Sequence, residues 1–374
     1  MTKRATQPPA PARHDAETAF SERRRGRGAC SNAAGRYEGE RRDVFDDGWE
    51  SLCELDAFRT EVREETARSI IATNDSPDIG FDQSINAYRG CEHGCIYCFA
   101  RPTHCHLGYS AGIDFETKLT AKVNAAELLE KALANPRYQV KPIMLGTNTD
   151  PYQPIERERR ITRAILEVLE RARHPVGIVT KSALVTRDLD ILAPMAEQGL
   201  VNVAISVTTL DNRLSRVMEP RASAPMKRLE AIRALSEAGV PTRVMAAPMI
   251  PALNDAEMER IMQAAAGRGA QAASYILLRL PLEVAPLFRE WLAQNYPDRA
   301  SRVMSLIQDM RGGKDYDSRF GVRKRGEGPY AQALAARFAI ARRRFGLTRE
   351  HPPLRTGLFR PPRPRDQFDL FAEP

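Results

Sequence analysis

The chain has 374 residues, 43% of them hydrophobic and 28% charged, and a formal charge of +8 from 56 Lys and Arg against 48 Asp and Glu. Such a length buries a substantial core without covalent staples, so a small disulfide-framed scaffold is excluded. No eighteen apolar residues run together and the first residues lack the apolar segment of a secretory signal, so the expectation is a cytoplasmic protein with no membrane span.

Residues 1–47 mix Pro, Ala, Arg, Gly and acids without apolar periodicity, which predicts a disordered basic arm. Trp49, Leu52, Leu55 and Phe58 then supply an apolar cluster, so 48–83 reads as a lead-in that docks on the core. The runs Arg23-Arg24-Arg25-Gly26-Arg27 and Arg342-Arg343-Arg344 at the two ends are expected partners for DNA or RNA phosphates. From Ser84 the pattern becomes an apolar strand, a loop and an amphipathic helix, repeated. Strands are predicted at 84–88, 142–146, 176–180, 202–207, 242–247 and 274–278, and their continuous apolar runs are those of parallel strands covered on both faces. Between them, Ile161, Ile165, Val168 and Leu169 form one helical stripe, and Met226, Leu229, Ile232, Ala234 and Leu235 another. Right-handed crossovers leave few arrangements for six such units, so 84–298 is expected to be an α/β partial barrel of (β/α)6 type. Helices over 299–346 are expected to cover it, with Leu334, Phe338, Ile340 and Ala341 inward on the last one, before a flexible Pro-rich tail at 347–374.

Four of the six cysteines lie within 91–105, a crowding that fits metal ligation better than a disulfide framework. Cys91-Glu92-His93-Gly94-Cys95-Ile96-Tyr97-Cys98 follows the first strand in a C-x3-C-x2-C spacing. Three thiolates on one loop can hold three irons of a [4Fe-4S] cubane and leave the fourth open. The competing reading is a zinc knuckle with Cys105, His93, His104 or His106 as fourth ligand, which would make the chain a non-enzymatic iron-sulfur or zinc protein that binds nucleic acid. The strand ends favour the first reading. Chemistry in such barrels gathers at the carboxyl ends of the strands, and here these ends are polar: Gly146-Thr147-Asn148-Thr149-Asp150, Thr180-Lys181-Ser182, Ser206-Val207-Thr208-Thr209 and Ala247-Pro248. A knuckle needs none of them.

The cysteine spacing with Tyr97 before the third thiol resembles the radical S-adenosylmethionine (SAM) superfamily. Gly-Thr-Asn-Thr-Asp after the second strand and Thr-Lys-Ser after the third are similar to its spore photoproduct lyase-like, or DNA repair photolyase-like, group. The resemblance covers about Ser84 to Leu280. It implies a [4Fe-4S] cluster on Cys91, Cys95 and Cys98 whose open iron binds SAM, reductive cleavage of SAM to a 5′-deoxyadenosyl radical that abstracts hydrogen from substrate, and an electron donor such as flavodoxin or ferredoxin. For SAM, Thr147, Asn148, Thr149 and Asp150 are the expected partners of the amino group and Lys181 of the carboxylate. Ser206 is expected at the ribose, with Ala247, Pro248 and Tyr97 around the adenine. Lysine and serine at the positions of Lys181 and Ser206 contact SAM in the lyase. No catalytic residue beyond the cluster is assigned. The lyase's hydrogen-donor cysteine near the second strand is missing here, since no cysteine follows Cys105, and Phe99 stands where the lyase has a second tyrosine.

Overall fold

Short apolar runs alternating with amphipathic helices build one main sheet. The computed structural model describes residues 24–38, 57–349 and 353–362. Its strands are β1 Glu61–Glu65, β2 Ile71–Thr73, β3 Gln83–Ile85, β4 Tyr88–Arg89, β5 Lys118–Lys122, β6 Ile143–Leu145, β7 Val176–Thr180, β8 Val201–Ser206, β9 Thr242–Met249 and β10 Ala272–Leu277. The main sheet has the order β10-β9-β8-β7-β6-β3-β2, in which β3 and β6 to β10 are parallel and β2 is antiparallel at the edge. Six parallel strands in chain order, with helices in each crossover, form the expected open (β/α)6 barrel. Val176, Ile178, Val203, Ile205 and Val244 are buried along it, and the helix Ile161–Arg171 lays Ile161, Ile165, Leu166, Val168 and Leu169 on its face. At the end of β6, Gly146 turns with φ +86°, and a Cβ there would lie 1.9 Å from the Val179 carbonyl oxygen. Only glycine permits that turn.

A second sheet, β1-β5-β4, was not expected. Its first strand reads Glu-Val-Arg-Glu-Glu, in which backbone pairing with β5 rather than side-chain burial supplies the order. Two stripe positions also differ. Met226 in the first turn of Pro225–Glu237 is exposed, while Arg228, Leu229, Ala231, Ile232 and Leu235 are buried. In Gly328–Arg344 the inward line is Ala331, Leu334, Phe338 and Ala341, and Ile340, one position round the helix from Ala341, is 58% exposed.

The described parts of the two end segments are tied into the fold. Residues 24–38, placed by expectation in the mobile arm, include buried Arg27, Ala29 and Cys30. The Arg27 guanidinium donates to Glu116 O, Phe58 O and Thr60 Oγ1, so it is committed within the fold rather than offered to phosphates. Phe58 packs against the apolar core as expected; Arg23, Trp49, Leu52 and Leu55 lie outside the described residues. Within the expected flexible tail, Leu347 is buried and Leu358 and Phe359 pack on the core. Arg355 N donates to Gly199 O and Arg360 N to Ala172 O, closing the end of the barrel opposite the cysteine loop. These segments are held by backbone bonds and a few apolar anchors, which carry no periodic signal.

His174, fully buried at that closed end, contacts Pro175 O through Nδ1 and the Tyr138 hydroxyl through Nε2, with Phe359 edge-on to its ring. Burial lowers its pKa from 6.5 to about 4, and the bond to Pro175 O only partly opposes this. The folded state therefore binds fewer protons than the unfolded one between these values. The contribution is fully present above about pH 6.5 and is lost as pH falls to about 4, with a slope of up to about 1.4 kcal/mol per pH unit. Chemical denaturation across pH 4 to 7 is expected to show a shallower acid dependence in His174→Gln than in the parent chain; equal slopes would exclude this role.

Candidate metal centre and cofactor pocket

The cysteine loop leaves β4 through Gly90 at φ +72° and turns at Gly94 with φ +64°. Cys91 N–H donates to Phe115 O, Ile96 N–H to Met218 O and Cys98 N–H to Cys95 O. The side chain of Arg101, 0% exposed, gathers the loop from within. Its Nε donates to Cys95 O at 3.0 Å, Nη1 to Ala111 O and Gly112 O, each at 2.9 Å, and Nη2 to Gly94 O at 3.1 Å and to Glu116 Oε1 at 2.6 Å. All five guanidinium N–H groups thus have acceptors. On the other side, Glu92 N–H donates to Gln153 Oε1 and the Glu92 carboxylate receives Thr60 and Arg221.

Cys91 and Cys95 are buried and Cys98 is half-buried. Burial pushes the Cys91 thiol well above its usual range, with Asp150, Cys95 and Cys98 adding to the effect; burial pushes Cys95 up to about 12. Metal-free thiolates are therefore disfavoured, and bound iron would supply the missing positive charge. Among the described residues no three His, Cys, Asp or Glu side chains are gathered as around one metal ion. A cubane places each thiolate on a separate iron, so three thiols spread along one loop suit a cluster better than a mononuclear site. The knuckle's possible fourth ligands each have other neighbours, although His104 Nε2 is buried without a hydrogen-bond partner among the described residues. His93 Nδ1 pairs with Asp150 Oδ2 at 3.3 Å, Cys105 lies against Gly35 and the Arg36 and Glu283 side chains, His106 stacks on Tyr37, and His104 packs between Tyr109 and Phe115. The donor set fits a [4Fe-4S] cluster.

The sequence-selected pocket residues divide into two kinds. Asp150 at the end of β6 accepts from Thr180 Oγ1 at 2.6 Å, Tyr152 N at 2.9 Å and Lys181 N at 2.8 Å, besides pairing with His93. Burial opposes its charge, but His93, Thr180 and the Lys181 N–H outweigh it and hold the carboxyl at about 2. Both oxygens are thus occupied in tying β6 to β7 and to the cysteine loop. Thr149 is similarly used, donating to Tyr88 O. Thr147 and Asn148 side chains form no hydrogen bond to a described residue; Asn148 and Thr149 are positioned by their backbone N–H groups on Asn86 Oδ1. Lys181 Nζ likewise has no hydrogen-bonded partner among the described residues and lies 5.8 Å from the Tyr97 ring centre. Burial would lower its pKa, but Cys95, Glu219 and Asp150 outweigh burial and raise it, so the ammonium stays charged. Ser206 is buried at the end of β8, with its carbonyl taken by Arg228 at 3.1 Å. Ala247 and Pro248 at the end of β9 offer an apolar wall, their carbonyls occupied by Thr208 and Asn254.

Sequence reading missed a buried network behind this wall. Glu219 accepts from the Tyr97 hydroxyl, from Thr208 Oγ1 at 2.7 Å and from Arg228 Nη2, which places Tyr97 through a carboxylate rather than leaving it free to swing. Burial opposes the charge of Glu219, and Arg228 with Lys181 holds it ionised. A Glu nine residues before an Arg, in a loop and a helix, carries no spacing signal that could have identified the pair. At the rim, Phe99 is 44% exposed and carries the Arg279 guanidinium 4.9 Å from its ring centre, while Arg279 Nη2 donates to the Tyr316 hydroxyl at 3.2 Å. Because Glu219 and Arg228 are both buried, Glu219→Ala leaves an uncompensated charge and is expected to cost about 3–5 kcal/mol in denaturation of the metal-free chain; a loss below about 1 kcal/mol would mean the pair is not load-carrying for the fold.

The radical SAM superfamily pattern matches residues 85–265. An uncharacterized protein of Mycobacterium bovis is 37% identical over 230 residues, 61% of this chain and 68% of that protein. One of Methanocaldococcus jannaschii is 29% identical over 215 residues, 57% of this chain and 76% of that protein. Among solved structures, spore photoproduct lyase complexed with dinucleoside spore photoproduct superposes with a TM-score of 0.54 at 17% identity, covering 76% of this chain and 79% of that one. A lyase variant with bound AdoMet and the same dinucleoside gives the same TM-score, identity and coverage. At this identity the likeness is one of fold. The chain belongs to the radical SAM superfamily of enzymes, whose cofactors are a [4Fe-4S] cluster and SAM.

Proposed function

We propose that this enzyme uses its cluster and SAM to abstract a hydrogen atom from a nucleic-acid substrate, with a one-electron donor such as flavodoxin or ferredoxin as partner. The observation that carries the cofactor half is the convergence of three loop thiols with the Lys181 ammonium, which lies close enough to Cys95 to interact with it and has no hydrogen-bonded partner among the described residues. Held there by Cys91, Cys95 and Cys98, the cluster would supply one-electron chemistry to SAM. The chain's own residues do the rest. Cys91, Cys95 and Cys98 hold the iron. Lys181 would neutralise the SAM carboxylate, and the Thr147 and Asn148 side chains, without hydrogen bonds among the described residues, would meet the amino group. Asp150 and Thr149, expected there as well, instead fix the strand end that presents them. Ser206 faces the ribose, and Ala247, Pro248 and the ring of Tyr97 enclose the adenine. The buried walls exclude water from the reacting centre.

The substrate half is supported by the rim. Phe99, Arg279 and Tyr316 join an aromatic face to a cation at the edge of the cysteine loop, a combination that suits a planar base and its phosphate. The fold shared with a lyase complexed with a dinucleoside supports the same reading. The absent thiol after β6 separates it from the lyase's hydrogen-return route.

Replacement of any one of Cys91, Cys95 or Cys98 by Ala is expected to abolish formation of 5′-deoxyadenosine by anaerobically reconstituted, dithionite-reduced protein. Undiminished product in all three variants would remove the assignment. Lys181→Gln is expected to weaken SAM binding by about 10- to 100-fold in calorimetric titration, the worth of a hydrogen bond to a charged group. For the substrate, deuterated oligonucleotides should transfer label to 5′-deoxyadenosine; label arriving from peptides or small metabolites instead would overturn the nucleic-acid reading.

A further inference from the structure

The segment 24–38 lies against the cysteine loop and makes contacts that composition does not explain. Gly28 and Ala29 donate their backbone N–H groups to Glu116, at 2.8 Å each. The same carboxylate receives Arg101, whose guanidinium holds the carbonyls of Gly94 and Cys95. Gly28 approaches so closely that a Cβ on it would fall 1.9 Å from the Gly94 carbonyl oxygen, and a Cβ on Gly94 would fall 2.6 Å from Glu116. Backbone thus rests on backbone at the turn between the first two thiols. The segment is tied on both sides of this contact. Arg27 reaches Thr60, which donates to Glu92 of the cysteine loop. Asn32 exchanges two hydrogen bonds with Asp114, and Ser110 donates to Ala33 O. Ser31 donates to Glu290 and Arg36 pairs with Glu283, which anchors the segment to the helix Val284–Asn295 and its leading turn.

We propose that residues 24–38 form a strap that positions the cysteine loop for its cluster, with Gly28, Arg101 and Glu116 as positioning residues. The inference rests on the cluster reading above. Without the strap, the Glu116 carboxylate loses two of its three donors and the backbone that covers it, so the ion pair that sets the Arg101 guanidinium on Gly94 O and Cys95 O is opened toward water. The loop then retains its thiols but not their arrangement. Groups that orient metal ligands without touching the metal commonly alter retention by about 10- to 100-fold.

The test uses the full chain, reconstituted anaerobically, with Gly28→Ala, Glu116→Gln and a control, Gly80→Ala, whose added Cβ meets nothing within 4 Å. Loss of the cluster's visible absorbance to an iron chelator is expected to be about 10- to 100-fold faster in Gly28→Ala and Glu116→Gln than in the parent, and unchanged in Gly80→Ala. In the metal-free chain, trypsin is expected to cut after Arg27 in Gly28→Ala but not in the parent, a readout independent of iron. Equal chelation rates together with equal protection of Arg27 would overturn the strap. Should Gly28→Ala lose its far-ultraviolet dichroism, Glu116→Gln, which adds no atom to the contact, decides the matter by the same two measurements. A parent chain that takes up no iron and sulfide would instead remove the cluster reading, leaving the protease comparison to judge the strap on its own.

Discussion

The buried ion pair between Arg101 and Glu116 is the interaction on which the cysteine loop depends. Both side chains are 0% exposed, and a charge pair withdrawn from water is favourable only when its remaining donors and acceptors are met. Here they are. The guanidinium spends three of its N–H groups on Ala111, Gly112 and Glu116 and the other two inside the loop, and the carboxylate accepts from Gly28 and Ala29 as well as from Arg101. Charge is used as a geometric constraint. The eight residues Cys91–Cys98, preceded by Gly90 and turning at Gly94, both at positive φ, form no helix or strand; Ile96 and Tyr97 pack into the core, and the turn itself is held from beneath by carbonyl contacts.

The same logic governs the mouth of the barrel. Asp150 and Glu219 are both buried carboxylates held ionised by neighbours, but each is fully engaged, Asp150 with His93 and the β7 end and Glu219 with Tyr97, Thr208 and Arg228. Asp150, which looked available for a ligand, is therefore a clasp between strand ends, and Glu219 is a second one. What they leave toward the pocket is a charged Lys181 with no hydrogen-bonded partner among the described residues, together with Thr147, Asn148 and Ser206. A site with its acids satisfied and a cation without a hydrogen-bonded partner among the described residues suits an anionic group of a ligand.

Much of this architecture was legible. Five of the six parallel strands fall within two residues of their expected positions, because continuous apolar runs separated by 3.6-residue stripes leave little choice of period or topology; the first, expected at 84–88, ends at Ile85, and Tyr88 pairs in the second sheet. The cysteine loop was legible as well, since thiols at short spacing are scarce enough to carry meaning alone. Charged strands were not: β1 is ordered by pairing with β5, and its Glu-Val-Arg-Glu-Glu sequence has no apolar alternation to reveal it. Ile340 was misplaced because hydrophobicity alone was followed across a helix whose inward line passes one position away.

The amino-acid sequence by itself determined the class of protein and the barrel, and it singled out the three loop thiols, since these rest on local periodicity and on the rarity of cysteine. Tertiary structure alone decided which polar residues are spent and which are free. Asp150 and Lys181 are equally conspicuous as letters at strand ends, yet the carboxylate accepts from four groups while the ammonium has no hydrogen-bonded partner among the described residues, and that difference arises largely from contacts between segments tens of residues apart. Tertiary structure also turned part of an apparently featureless N-terminal arm into a support for the cluster loop. The bonds that do this come from the backbone of Gly28 and Ala29, and backbone groups are the same in every sequence until the fold brings an acceptor to them.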